Sequence, residues 1–311
     1  MSFLKKFKFY SSFIWGAITL PCFIRRMRKL KRDDEVVVCL LPTFGDTVYA
    51  MLFLEQFKKE NNKKICVYCA AESKFFVEKY TFIDRIVTYK RNSLEDVRVR
   101  IFPFMRFMKK NKRNKDGVYP IAPSSLEFKG LSALEAYRDE IFRVKKDVRN
   151  YYPSVETEIK SIPNFEEIKD KIVVINPYSS THRNKMKVYE RIAKELKEDG
   201  YIVYSNVVTR LNQKPISNTL PLDVGIFELR SIVNEIPLFI STRSGIMDFL
   251  VSGTGNLFAI YFINIRHFFT LKDVRSEKVF EFRWVNKKST ERLITNIKMF
   301  LNKIEEEKHK K

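Results

Sequence analysis

Two runs of almost uninterrupted apolar residues, each followed by a short polar turn and then an amphipathic helix, constrain this chain more than any other feature. The first is Val36-Val37-Val38-Cys39-Leu40-Leu41, then Pro42-Thr43-Phe44-Gly45-Asp46 and a helix from Thr47. The second is Ile172-Val173-Val174-Ile175-Asn176, then Pro177-Tyr178-Ser179-Ser180 and a helix near Met186. A strand that is apolar on both faces must be covered on both, which is the condition of a parallel sheet flanked by helices. Two such beginnings, far apart in one chain, predict two α/β domains facing each other across a cleft.

The segments between them support that plan. Ala50, Phe53, Leu54 and Phe57 fall on one helix face. A strand is expected at 64–69, a short helix near 72–79 and a strand at 86–89, which together make the alternating β-α pattern of a doubly wound sheet. Residues 93–115 read as helix, with a kink or break at Pro103. A further strand is expected at 118–121 and a helix at 133–143. Pro153 and Pro163 interrupt an aperiodic stretch, 151–171, where the link between domains is expected.

The second half repeats the plan. Val188, Ile192 and Leu196 form a helix stripe closed by Gly200, and a strand follows at 201–208. Residues 209–222 read as loop. A helix at 226–233, strands at 238–241 and 257–262 and a helix at 246–251 follow, with a terminal helix over 289–307. The expected organisation is a segment 1–32, an N-terminal Rossmann-like domain 33–160, a C-terminal one 161–288 and a helical, charged tail 289–311.

Charge narrows the possible partners. Lysine and arginine exceed aspartate and glutamate by 58 to 37, a formal net charge of +21. Such an excess points to phosphorylated substrates, anionic lipid or nucleic acid. Residues 1–32 contribute Lys5, Lys6, Lys8, Arg25, Arg26, Arg28, Lys29, Lys31 and Arg32, and no acid precedes Asp33. Between the basic groups lies an apolar run, 9–24, shorter than the about 20 residues a spanning helix needs and interrupted by Gly16 and Pro21. The cationic flank at 25–32 argues against a secretory leader. A segment lying in the membrane interface, on an anionic surface, is the favoured reading; a basic first helix packed on the body of the protein is the other. The run Lys109-Lys110-Asn111-Lys112-Arg113-Asn114-Lys115 reads as a solvated face. The chain carries no zinc-finger, helix-turn-helix or aromatic RNA-binding signature, so no nucleic-acid partner is expected.

The cysteines are Cys22, Cys39, Cys66 and Cys69. Cys66 and Cys69 have half a zinc-site spacing, but residues three apart on a strand point to opposite faces. Core packing is their expected role, and free thiols fit a cytoplasmic protein.

Three strand ends carry residues suited to chemistry, because ligands of open α/β sheets bind at the carboxyl ends of strands. At the first, Thr43, Phe44 and Gly45 precede Asp46, which is either a helix cap or a carboxylate placed to take a proton from a hydroxyl. At the second, the loop 176–185 is either a polar surface loop or a set of donors, Ser180, Thr181, Arg183 and Lys185, suited to phosphate oxygens. At the third, Ser241-Thr242-Arg243-Ser244-Gly245 opens a helix, with Arg243 as a forked donor and Asp248 one turn later. Asp248 either partners a neighbouring side chain or complements the helix dipole.

In order and spacing these stretches resemble family 9 of the glycosyltransferases, the heptosyltransferase-like proteins of GT-B fold. The matching pieces are 36–50, 172–185 and 222–262, and the likeness spans most of the chain after residue 34. It implies a glycosyltransferase of two Rossmann-like domains that transfers a sugar from a nucleotide-sugar donor with inversion. Asp46 would be the base, with Thr43, Phe44 and Gly45 on the acceptor side. By that likeness Ser180, Thr181 and Lys185 would hold the donor phosphates, and Ser244 and Gly245 the nucleotide sugar; on charge alone, Arg183, Lys185 and Arg243, with Asp248 beside it, are also expected on the donor side. The family's usual Asp-Ser-Gly followed by His is here Arg243-Ser244-Gly245 followed by Asp248, which implies a nucleotide sugar other than a heptose donor.

The chain has no Asp-X-Asp motif, so no metal and no cofactor is expected, and cations must offset the leaving diphosphate. The expected acceptor is a lipid-linked or cell-surface glycan of capsule, cell-wall or lipopolysaccharide type, met at the inner face of the cell membrane. Two other readings remain open: an inactive GT-B scaffold and, less favoured, a basic nucleic-acid-binding protein.

Overall fold

The computed structural model describes residues 3–107, 117–121, 131–145, 157–178, 185–262, 270–275, 277–286 and 288–309. The chain divides into two compact units, Met1–Pro153 and Ser154–Lys311.

The first unit begins with a long helix, α1 (Phe3–Leu30), and then β1 (Glu35–Leu40), α2 (Phe44–Asn61) and β2 (Lys64–Ala70). The short α3 (Lys74–Val77), β3 (Arg85–Tyr89), α4 (Leu94–Phe107) and β4 (Val118–Ile121) follow. The unit closes with one α-helical turn, α5 (Ala133–Glu135), that widens into a π-helix over Ala136–Phe142. The four strands form one parallel sheet in the order β3-β2-β1-β4, with Val37 beside Cys66 on one side and Val118 on the other. Every residue of β1 is buried, as its composition requires.

One face of this sheet is covered by α1 and α4. Leu20, Phe23 and Met27 of α1 pack with Val99, Ile101 and Phe102 of α4 and with Tyr68 of β2. The Phe23 and Phe102 rings meet edge to face at 5.9 Å. Gly16 permits this approach, since a Cβ there would lie 2.8 Å from both Ile101 Cδ1 and Val97 Cγ1. The helix α4 runs without a break through Pro103, where a kink or break was expected, so the chain does not split there.

The second unit opens with α6 (Phe165–Ile168), β5 (Ile172–Asn176), α7 (Met186–Glu198), β6 (Ile202–Asn206) and β7 (Leu220–Leu222). It continues with α8 (Ile226–Glu235), β8 (Leu238–Thr242), α9 (Gly245–Leu250), β9 (Leu257–Tyr261), β10 (Val279–Arg283) and α10 (Ser289–His309). Its six strands are all parallel, in the order β10-β9-β8-β5-β6-β7. The α7 stripe of Val188, Ile192 and Leu196 is buried against Val173, Ile240 and Ile260 of the sheet. Gly200, at φ +89°, ends α7 as expected, with the Tyr201 amide donating to the Leu196 carbonyl at 3.0 Å.

The expected α/β class with two parallel sheets is therefore what the chain adopts. Two edge strands went unread. β7 lies inside the stretch 209–222 read as loop, and β10 within residues assigned no element. Both are exposed on part of their length, so neither shows the apolar run of a central strand.

Cys39, Cys66 and Cys69 are buried in β1 and β2, and all four cysteines are free. Burial pushes the Cys66 thiol up to about 11 and the Cys69 thiol up to about 12. Thiols held protonated in this way pack as small hydrophobes and are poor nucleophiles and metal ligands.

Candidate functional site

A parallel sheet leaves a crevice where successive connections leave a strand in opposite directions. In the first unit that point lies between the carboxyl ends of β1 and β4, and in the second between those of β5 and β8. Asp46 follows the end of β1. The Ser241–Asp248 stretch follows or ends β8, and Lys185 opens the helix that follows β5.

Asp46 sits in the first turn of α2, which begins at Phe44 rather than at Thr47 as expected. Thr43, in extended conformation, is the N-cap, so Phe44 and Gly45 are already helical. The Thr43 hydroxyl donates to Asp46 Oδ2. The Tyr137 hydroxyl lies 3.2 Å from both Asp46 Oδ1 and the Asp46 carbonyl oxygen. Tyr137 is buried and stacks on Tyr49 of α2, with centroids 5.7 Å apart and planes 13° from parallel. The carboxylate is half-buried at a helix N-terminus, with a hydroxyl directed at each oxygen. Phe44 packs edge-on against Phe76 at 5.0 Å, forming an apolar shoulder beside it.

Sequence reasoning placed Thr43 here but missed Tyr137. Its segment reads as an ordinary helix, and nothing local marks the π-helix that carries it. Such bulges are common at functional sites.

In the second unit a chain of buried amides and hydroxyls fastens three strand ends together. The Asn206 side-chain amide donates to Asn176 Oδ1 at 3.2 Å, and that of Asn176 donates to Ser241 Oγ at 2.9 Å. Ser241 in turn donates to the Thr242 carbonyl at 2.8 Å. All four residues are buried at the carboxyl ends of β6, β5 and β8. The Asn206, Asn176 and Ser241 side chains and the Thr242 carbonyl hold one another inside the protein, which makes this network a rigid floor.

Beyond it lies Arg243, expected as a forked donor at this strand end. Its guanidinium turns inward onto Asp248, Nη1 donating to Oδ2 at 2.8 Å and Nη2 in ion-pair contact with Oδ1 at 2.6 Å, with both side chains almost fully buried. Asp248 is thus the partner of Arg243. The pair braces the strand-to-helix turn, because a buried charge must be matched where it lies. Ser244 caps α9 in extended conformation without a side-chain cap bond, and Gly245 is the first helical residue. Thr242 Oγ1 and Ser244 Oγ are buried and without a hydrogen-bond partner among the described residues. Unpaired buried hydroxyls are uncommon and call for an explanation.

Lys185 stands exposed at the start of α7, with its ammonium 5.4 Å from the centroid of the Trp284 ring. Trp284 follows β10, packs on Phe262 at 5.5 Å and donates its indole N–H to Thr290 Oγ1 at 3.1 Å. Phe262, just after β9, meets Tyr189 of α7 at 5.8 Å. An aromatic wall thus lines the same carboxyl edge and holds the cation by its ring quadrupole. Trp284 had no sequence signal, because its strand was not read. Ser180, Thr181 and Arg183 lie outside the described residues.

A groove of about 880 Å³ opens at the opposite edge of the second unit, near the amino ends of β8 and β9, and is lined by Arg230, Asn234, Glu235 and Thr254 among others. Its volume alone does not make it the chemical site, since the switch point and the orphan hydroxyls lie at the carboxyl edge.

No protein-family model and no curated protein matches the sequence. Solved structures do match the fold. A glycosyl transferase family 9 protein from Veillonella parvula DSM 2008 aligns over 86% of this chain and 97% of its own, with 13% identity and a TM-score of 0.60. The E. coli ADP-heptose lps heptosyltransferase II aligns over 87% and 99%, with 12% identity and a TM-score of 0.57. E. coli heptosyltransferase WaaC, solved with ADP-2-deoxy-2-fluoro heptose, aligns over 86% and 99%, with 10% identity and a TM-score of 0.52. Likeness at this level of identity establishes a shared fold.

Proposed function

We propose that this protein is an inverting glycosyltransferase that moves a sugar from a nucleotide-sugar donor to a lipid-linked or cell-surface glycan. One observation carries the reading: in a fold shared with glycosyltransferases, each parallel sheet presents its reactive side chains at its own switch point. In the first unit these are a carboxylate, and in the second a cation with unpaired hydroxyls.

In this mechanism Asp46 takes the proton of the acceptor hydroxyl as its oxygen attacks the anomeric carbon. The bond from that carbon to the diphosphate oxygen breaks on the opposite face, so the configuration inverts. Thr43 and Tyr137 hold the carboxylate in one orientation, which keeps its geometry fixed at the moment of transfer. Lys185 offsets charge on the departing diphosphate, with Ser180 and Thr181 as the family resemblance implies and Arg183 as a second cation. Thr242 and Ser244 supply hydroxyls to the donor, while Arg243, Gly245 and Asp248 shape the turn that presents them. Phe44 and Gly45 line the acceptor side. The reaction as proposed needs no metal and takes place in the cytoplasm. The departure from the family at Arg243 and Asp248 favours a donor other than ADP-heptose. The same closed pair also favours, as a second reading, a scaffold that binds nucleotide without turnover.

The test is a thermal-shift screen against UDP-, GDP-, ADP-, CMP- and dTDP-sugars, followed by product detection with EDTA present. A donor at a hundred times its dissociation constant stabilises the native state by about 2.7 kcal/mol. Binding with release of nucleoside diphosphate supports the transferase. Binding without release supports the scaffold, and no binding removes both.

A further inference from the structure

The helix α1 has two unlike faces. Gly16, Leu20, Phe23 and Met27 are buried toward α4 and the sheet. On the opposite side Ile14, Trp15 and Ile18 are 59%, 62% and 64% exposed, a cluster of large apolar side chains left in water. At the three- and four-residue spacing of one helix face, Arg25 and Lys29 continue the line from Ile14 and Ile18, and both are exposed. The burial of one face by α4 is what reveals the other, because apolar residues run right round this helix.

We infer that this outer face of α1 is a docking surface for an anionic lipid bilayer. Three features select lipid over a protein partner. Ile14, Trp15 and Ile18 form a compact apolar tip with an indole, suited to the depth of headgroups and upper acyl chains. The exposed cations lie along the same face toward the helix end, and no acidic residue occurs in the first 32 positions to oppose them. Among the described residues no helix is long and apolar enough to cross a membrane, so the segment lies on the surface and does not span. The anchoring of α1 to the first unit, through Phe23 on Phe102 and the Arg98 side chain donating to Thr19 Oγ1 at 2.9 Å, makes the whole unit follow the helix.

The inference is independent of the transferase reading, because vesicle binding needs neither donor nor acceptor. The chain holds two tryptophans, so Trp284→Phe leaves Trp15 as the sole reporter of the apolar tip. In that variant the emission shifts to the blue on addition of vesicles containing phosphatidylglycerol, and the protein co-floats with them. Phosphatidylcholine vesicles alone give neither effect. Ile14→Ser/Ile18→Ser abolishes co-flotation while the circular dichroism stays unchanged, as befits two exposed side chains. Arg25→Ser/Arg28→Ser/Lys29→Ser weakens binding by on the order of a hundredfold. The inference is overturned if Trp15 does not shift and nothing floats, or if flotation survives loss of Ile14 and Ile18. It is equally overturned if the blue shift occurs without lipid and tracks a dimer in light scattering, which would assign the face to a second copy of this chain.

Discussion

The Tyr137 hydroxyl reaches Asp46 Oδ1 at 3.2 Å across 91 residues of sequence, from a π-helix to the first turn of α2. The arrangement is that of a carboxylate oriented from two sides, since Thr43 holds the other oxygen. A base oriented in this way reacts from a fixed geometry, which is why a neighbouring hydroxyl can matter as much as the base itself.

Asp46→Asn is therefore expected to lower the transfer rate by about 10²- to 10⁴-fold, the usual contribution of a positioned base. Donor affinity, measured by calorimetry, should stay within a factor of about two, because Asp46 lies in the other unit from the residues proposed to hold the donor. A fully active variant would remove Asp46 from the mechanism.

Tyr137→Phe keeps the ring stacked on Tyr49 and deletes only the hydroxyl. The turnover number should fall by about tenfold with the Michaelis constant for donor unchanged, and urea denaturation should register a loss of about 1.5–3 kcal/mol for the charge-assisted bond. A stability loss without a rate effect would confine Tyr137 to packing.

For the buried ion pair, Arg243→Met strands the Asp248 carboxylate and should cost about 3–5 kcal/mol in urea denaturation. Adding Asp248→Leu should recover most of that loss, since two apolar groups replace two matched charges. If the pair shapes the nucleotide turn, donor binding stays impaired in the stable double variant. Restored binding would make the pair purely structural.

Glu35 and Arg85 provide a test by pH. Burial alone would raise the Glu35 carboxyl, but the Arg85 guanidinium and the Arg32 amide outweigh it and hold it below the ordinary carboxylate value. The guanidinium donates through Nε to Oε1 at 2.9 Å and also contacts Oε2. A depressed carboxyl adds stability above its unfolded value, near pH 4.3, and loses it as pH falls through the folded value. Arg85→Met should thus cost about 3 kcal/mol at pH 7. The difference from wild type should narrow as the medium is acidified, because the stranded Glu35 takes up a proton. A pH-independent difference would contradict this account.

The central strands were legible because a strand covered on both faces must be largely apolar, and β1 after Glu35, β5 before Asn176 and β8 before Ser241 obey that. The ends of β5 and β8 were legible because apolar residues give way there to polar ones, Asn176 and then Ser241 and Thr242, although these stay buried. Edge strands β7 and β10 need no such composition and left no mark. Nor did the π-helix, whose extra residue per turn changes no residue type. Asp46 and Lys185 could be named from spacing alone, but Trp284 could not, because its strand had not been recognised.

What the amino-acid order settled by itself was local: which segments are strands and helices, that the strands run parallel, and which polar residues follow their carboxyl ends. These follow from periodicity and from the covering of apolar surface, which act over a few residues. Only the tertiary structure decided that Tyr137 meets Asp46, that Arg243 turns inward to Asp248, that Asn206, Asn176 and Ser241 form one chain, and which side of α1 is left uncovered. Each of those depends on the packing of segments distant in sequence, where side-chain reach, burial and the matching of charges select one partner among many.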